Sequence, residues 1–199
     1  MLGLLALLIA YFLGAIPFGY LIVKLTKGTD VRSAGSGNIG ATNVLRTTGR
    51  ALGTVTLLLD IAKGFAAVWI AAKLTGDSTF WISLAALAVM AGHAFPIFLR
   101  FQGGKAVASF VGAFLYLTPL PLLAVLLLFI AAVAVTRYIS LGSIVAAAAF
   151  PFGVWMILHP GWPVVLAAFV AAAFIIYRHR SNLKRLRNGT ENRFAWRKS

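Results

Sequence analysis

Apolar runs separated by short polar breaks set the plan of this chain. The runs cover residues 2–23, 51–74, 80–99, 106–117, 119–136, 141–158 and 163–177. A helix needs about 20 apolar residues to cross the hydrocarbon core. The pattern therefore predicts an all-α integral membrane protein, a bundle of about seven transmembrane helices forming one domain over residues 1–199. The fourth run has only 12 residues and reads as a tilted, partial or re-entrant segment, which leaves five or six full crossings as the other count. Turn-forming clusters stand where the helices are expected to stop: Thr75-Gly76-Asp77-Ser78, Thr118-Pro119-Leu120-Pro121 and His159-Pro160-Gly161. The first run starts at Met1 with no cationic stretch before it and no convincing cleavage site, and is read as a retained span.

The cations orient this bundle. One side receives Lys24, Lys27, Arg32, Arg46 and Arg50, then Arg100 and Lys105, then Arg137, then eight cations over residues 178–198. The other side receives only Lys73, and Lys63 lies inside a span. Cytoplasmic loops are enriched in Lys and Arg, so the N-terminus is expected outside and the C-terminus in the cytoplasm. The same parity gathers the polar, glycine-bearing segments 33–53, 100–109, 137–143 and 178–193 on the cytoplasmic side. Charge bias accounts for cations there, but not for glycine pairs, Asn and Ser. A site opening to the cytoplasm is favoured over a path through the membrane.

Composition narrows the partners. The chain is 61% hydrophobic with a mean hydropathy of +0.93, and its 18 Lys+Arg against 4 Asp+Glu give a net charge of +14. Anionic lipid or an anionic substrate fits that balance. Nucleic acid does not, because the cations flank apolar spans and carry no nucleic-acid fold signature. Cysteine is absent, which excludes disulfides, thiolate metal sites and an acyl-cysteine. Asp30, Asp60, Asp77 and Glu191 are the only acids, too few and too scattered for a carboxylate cluster holding two Mg²⁺ ions; no metal and no cofactor are expected. No His-x-x-x-x-Asp pair and no Gly-x-Ser-x-Gly elbow occurs.

What remains is phosphate chemistry. In residues 33–53, Gly35, Gly37, Gly40 and Gly49 are able to take positive φ and turn backbone amides inward as an anion nest. Ser36, Asn38, Thr42 and Asn43 add donors, and Arg46 and Arg50 add charge. Gly103-Gly104-Lys105 forms a second tight turn before an apolar run, after His93 and the kinking Pro96. Asp60 and Lys63, three apart on one helix face, are either a structural ion pair or the floor of a polar cavity. His179 and Asn182 are also three apart, Ser143 is a hydroxyl at the cytoplasmic edge, and Glu191 among cations is read as a pairing group. The tail cations are expected against anionic headgroups.

Taken together, SAGSGNIGATNVLRTTG at 33–49, Asp60-Ile-Ala-Lys-Gly64, Gly92-His-Ala-Phe-Pro96, Gly103-Gly-Lys105, Arg178-His-Arg-Ser-Asn182 and Glu191 resemble the bacterial acyl-phosphate:glycerol-3-phosphate acyltransferases, the PlsY family. The resemblance covers essentially the whole chain. It implies an enzyme of the bacterial cytoplasmic (inner) membrane that moves a fatty acyl group from acyl phosphate to the 1-hydroxyl of glycerol 3-phosphate, giving lysophosphatidic acid and phosphate. It also implies that Ser36 and Arg46 are essential, that Gly103, Gly104 and Lys105 bind glycerol phosphate, that His179 and Asn182 support activity, and that Glu191 maintains structure. Membrane lipid and transient contact with a soluble acyl-phosphate-forming enzyme are the further partners implied. Two positions depart from the family pattern: Ala106 follows Lys105 where a glycine is expected, and Gln102 stands at a commonly cationic place.

Both readings meet in one chemistry: direct transfer, with Gly37, Gly40, Gly103 and Gly104 cradling phosphate, Arg46 and Lys105 clamping it, and Ser36, Asn38, Ser143 and Asn182 orienting the reactants. The proton acceptor is left open between His93, His179 and the substrate's own phosphate. A transporter for a phosphorylated metabolite is the alternative from another class, weakened by the absence of a detectable internal repeat and by bland outer loops.

Overall fold

The computed structural model describes residues 1–194; Arg197 and Lys198, counted above among the tail cations, lie outside the described residues. All regular structure among the described residues is helical, and the chain divides into two compact units, Met1–Leu117 and Thr118–Ser199. The first contains α1 (Leu2–Ala15), α2 (Phe18–Lys27), α3 (Ala41–Thr48), α4 (Arg50–Thr75), α5 (Thr79–Ala94) and α6 (Val107–Leu117). The second contains α7 (Pro119–Thr136), α8 (Ile139–Leu158), α9 (Trp162–Arg178) and α10 (Arg180–Arg187).

Five segments are long and apolar enough to cross a membrane: Leu2–Lys27, Arg50–Thr75, Thr79–Leu99, Pro119–Thr136 and Ile139–Leu158. The pair α9 and α10, bent by 53°, brings the number to six where it is counted as one broken span. The protein is a multi-pass membrane protein. Two sequence expectations are corrected in detail. The first apolar run is not one helix, because Pro17 has no N–H to donate and the chain is extended at Ile16 (ψ 113°) before α2 begins. The polar segment after it is not all loop, because Ala41–Thr48 winds into a helix of 8 residues. The last apolar helix ends at Arg178, close to the expected boundary at residue 177, and the chain bends at His179 into α10.

Small residues hold the first unit together. In α1 against α5, a Cβ on Gly14 would run into the Val89 carbonyl and one on Gly92 into the Tyr11 carbonyl. In α4 against α6, a Cβ on Gly64 would strike the Ser109 carbonyl and one on Gly112 the Ile61 carbonyl. Ala6, Ala10, Ala67, Ala71, Ala85, Ala86 and Ala113 are buried between these helices, whereas Leu4, Leu8, Leu58 and Trp69 are exposed. Lipid tails are as apolar as leucine, so burying leucine gains little in a bilayer; close backbone approach gains dispersion contact instead. In the second unit α8 packs on α7 and α9, with Ala167, Ala168 and Ala171 buried and Leu127, Ile130, Trp155 and Phe169 turned outward.

Gly112→Val is expected to force α4 and α6 apart and destabilise by about 1–3 kcal/mol or more. Gly153→Ala in α8, whose nearest neighbour is a Pro121 carbon 4.0 Å from the new Cβ, is expected to leave stability unchanged or raise it by up to about 1 kcal/mol through helix propensity. Thermal midpoints of the purified protein in detergent check both.

Candidate active site

The segment between α2 and α4 is built around one side chain. Asn43 is buried in α3, and its amide Nδ2 donates to the carbonyls of Val31 (3.0 Å), Ala34 (3.1 Å) and Asn38 (2.8 Å) while its Oδ1 accepts from the Ser36 N–H (2.8 Å). Gly35, at φ 63°, passes so close that a Cβ there would meet Asn43 Oδ1. The loop is thereby folded back onto α3, which presents Ser36 in the open and leaves Arg46 half-buried without a hydrogen bond or ion pair among the described residues. Asp30 and Arg32 brace the outer side: the guanidinium donates to both carboxylate oxygens (2.7–3.1 Å) and lies over the Tyr20 ring. That hydrogen bonding holds the Asp30 carboxyl below its ordinary value.

These contacts change how phosphate would be met. The Gly37 N–H bonds to Ala34 O (3.2 Å), the Gly40 N–H to Asn38 Oδ1 (2.8 Å), and Gly40 has an ordinary φ of −74°. The expected nest of glycine amides is therefore corrected, since those amides are spent inside the loop. Asn43 is likewise an organiser of the loop rather than an open donor. What remains is the start of α3, where no side chain caps the helix and the Ala41 and Thr42 amides have no acceptor among the described residues. Thr42 is exposed there and Asn38 is half-buried.

The second polar loop lies on the same end of this unit. Leu99 packs with Val23, Val31, Ile39 and Val44 in one apolar cluster, so the two loops share a small core. Gly103 and Gly104 donate to the Ala94 (3.2 Å) and His93 (3.1 Å) carbonyls, so these amides too are engaged internally, and Lys105 follows half-buried. The turn is tightly wound: Arg100, Phe101 and Ala106 all have positive φ (51°, 61° and 61°). Ala106 thus occupies the left-handed conformation that a glycine adopts without cost, at the position where the family pattern has one. Beneath the turn lies a buried polar group. Lys63 Nζ is 2.8 Å from Asp60 Oδ1, an ion-pair contact without hydrogen-bond alignment, and donates to Ile16 O at 2.8 Å. His93 Nδ1 is 3.3 Å from Ser109 Oγ and 3.6 Å from Asp60 Oδ1.

In the second unit the anchor is Glu191. Its Oε1 accepts from Asn182 Nδ2 (2.7 Å) and Ser140 Oγ (3.0 Å), and its Oε2 from Arg185 Nε (2.7 Å). Burial alone would raise this carboxyl, but the three donors outweigh it and hold it below the ordinary carboxylate value. Ser143 donates to Ile139 O within α8 (3.0 Å), and buried His179 has Nδ1 2.8 Å from Ile175 O. Ser140, Ser109, the Ile16 carbonyl and the Ala41 amide were not singled out from sequence. Ser109 alone had a signal, since Ser in an otherwise apolar small-residue run marks a buried hydroxyl seeking a partner.

Comparison with known proteins bears on this arrangement. A family model described as glycerol-3-phosphate acyltransferase matches residues 4–189. A glycerol-3-phosphate acyltransferase of Geobacter sulfurreducens is 50% identical over 187 residues, 94% of each chain. Glycerol-3-phosphate acyltransferase 2 of Moorella thermoacetica is 50% identical over 192 residues, 96% of this chain and 97% of that one. Among solved structures, the glycerol 3-phosphate form of PlsY, described as an integral membrane glycerol 3-phosphate acyltransferase, superposes with a TM-score of 0.92 at 40% identity, covering 97% of this chain and 96% of its own. The lysophosphatidic acid form gives 0.89 at 39%, covering 97% and 95%.

The lowered Glu191 carboxyl makes acid stability a readout. Its contribution is complete above the ordinary carboxylate value of 4.5 and is lost as pH falls from there through the lower folded value. Glu191→Gln is expected to lower the thermal midpoint at pH 7 and to flatten its fall as the pH drops below 4.5. A variant whose midpoint falls as steeply as that of the unaltered protein would remove Glu191 from this role.

Proposed function

The chain belongs to the glycerol-3-phosphate acyltransferase family, and from that premise we propose a residue-level account of the reaction. The protein is a membrane acyltransferase acting on glycerol 3-phosphate. We propose that its donor is an acyl phosphate, that the 1-hydroxyl is the acceptor, and that the whole of residues 1–199 works as one acyltransferase domain, the family model running through both units. The carrying observation is Arg46: a half-buried guanidinium without a counter-charge among the described residues, on a short helix with an uncapped start, in a loop that shares its core with the Lys105 turn. A guanidinium drawn half out of water with no partner among the described residues calls for an anion.

In the proposed reaction the glycerol hydroxyl oxygen attacks the acyl carbonyl carbon, the bond from that carbon to the phosphate oxygen breaks, and phosphate leaves. An acyl phosphate is a mixed anhydride with a good leaving group, so no strong protein nucleophile is required. Alignment of the two reactants supplies up to about 7–11 kcal/mol. Arg46 and Lys105 hold the phosphates, the Ala41 and Thr42 amides with Ser36 and Asn38 direct donors at them, and Gly37, Gly40, Gly103 and Gly104 serve by shaping the turns. Ser143, His179 and Asn182 are assigned to the same reaction on the family resemblance. His93 is enclosed by Ser109, Asp60 and Gly104, which disfavours it as the base. The proton goes to a substrate phosphate, whose second pKa is about 6. No step needs a metal, and no group of three or more His, Cys, Asp or Glu suited to one occurs among the described residues.

The proposed topology has seven crossings with α6 as the short one, the N-terminus outside, the C-terminus in the cytoplasm, and the site facing the cytoplasm in the bacterial inner membrane. A soluble acyl-phosphate-forming enzyme is the proposed transient partner on that side. The transporter reading is not favoured.

Phosphate release from acyl phosphate, followed with and without glycerol 3-phosphate, tests the account. Arg46→Ala and Lys105→Ala are each expected to cut turnover by about 100-fold or more. Release of phosphate without glycerol 3-phosphate, accompanied by an acylated Ser36 detectable by mass spectrometry, would replace direct transfer with a two-step route.

A further inference from the structure

One buried group remains without a part in that chemistry: Asp60, Lys63, His93 and Ser109, drawn from α4, α5 and α6. Relative exposures of 2%, 5%, 4% and 0% keep all four from solvent, and so from contact with a dissolved substrate. Charged residues at membrane depth are costly, and an ion pair placed there without function would be replaceable by apolar side chains at no loss. The group therefore needs a use, and its geometry supplies one.

The imidazole of His93 sits against the phosphate-side turn. A Cβ on Gly104 would overlap His93 Nε2, and a Cβ on Gly103 would overlap the His93 carbonyl. The Gly103 and Gly104 amides donate to the Ala94 and His93 carbonyls. The turn thus rests on His93 through both backbone and ring, one residue before Lys105. On its other edge the ring faces Ser109 Oγ (3.3 Å) and Asp60 Oδ1 (3.6 Å), and Asp60 is held by Lys63, which is tied in turn to the Ile16 carbonyl at the break between α1 and α2. Behind Ser109, its carbonyl is the wall against which Gly64 packs.

We propose that His93 is a positioning residue: its ring is the stop that fixes the Gly103–Gly104 turn and hence the reach of Lys105, and Asp60, Lys63 and Ser109 are the mount that keeps the ring in place. The proposal rests on Lys105 holding the glycerol phosphate. It follows that the two glycines are required for the absence of a Cβ against the ring, not for flexibility, since neither has a positive φ.

Kinetics of the full-length protein in lipid nanodiscs, with phosphate release as the signal, test this by suppression. Gly104→Ala is expected to lift the turn off the ring and lower kcat/KM by about 100-fold, the cost typical of a misplacement of about 1 Å. His93→Ala is expected to let the turn settle inward, raising KM for glycerol 3-phosphate about tenfold while kcat changes little. In Gly104→Ala/His93→Ala the new methyl group occupies space vacated by the ring, and kcat/KM is expected to recover about tenfold over Gly104→Ala alone. A double variant no better than Gly104→Ala, whether through additive loss or failure to accumulate, overturns the proposal. So does a His93→Asn variant in which kcat falls and KM holds, because that would make His93 a participant in the chemistry. Lys105→Ala run alongside separates the premise: an unchanged KM there sinks the phosphate role of Lys105 whatever the suppression shows.

Discussion

A carboxylate and an ammonium placed together inside an apolar helix oblige their surroundings to supply every remaining partner. Asp60 and Lys63 impose that obligation on the first unit. Lys63 turns to the Ile16 carbonyl, which Pro17 leaves at the end of α1. Asp60 faces the imidazole of α5, and that imidazole faces the hydroxyl of α6. Four helices are thus registered on one buried pair, and breaking it from either side leaves an unpaired charge costing about 3–5 kcal/mol.

Such registration would be impossible between helices with bulky faces. The glycines of α1, α4, α5 and α6 bring carbonyl groups close to the neighbouring backbone, near enough for short polar side chains to span the gap. Close packing and polar satisfaction are therefore linked: Gly64 lies one residue from Lys63 and packs on the carbonyl of Ser109, whose hydroxyl meets His93. The second unit uses a different device, one carboxylate gathering three donors at the start of α8 and along α10.

At the polar end, order comes from side chains that never leave the protein. Asn43 closes the first loop by four hydrogen bonds, and His93 with Ala94 closes the second by two carbonyls. Because the loops spend their own glycine amides on this closure, Arg46 and the uncapped start of α3 are what remain without a protein partner among the described residues.

Sequence alone determined that this is an all-helical, multi-pass membrane protein and, through the 33–49 motif, to which family it belongs. Hydrophobic length, Pro and Gly breaks and the 33–49 motif are local quantities, and each survives being read without neighbours. The break at Pro17 was equally local and was passed over because the apolar run continued across it. What Asn43, Gly103 and Gly104 do was not legible, since a side-chain amide or a missing Cβ has meaning only against the atoms it meets, and those belong to residues 5 to 12 positions away or on another helix. The pairing of His93 with Ser109, 16 residues apart, likewise arose only when α5 and α6 were brought together. Spacing along the chain fixes which residues share a face; only packing decides which faces touch.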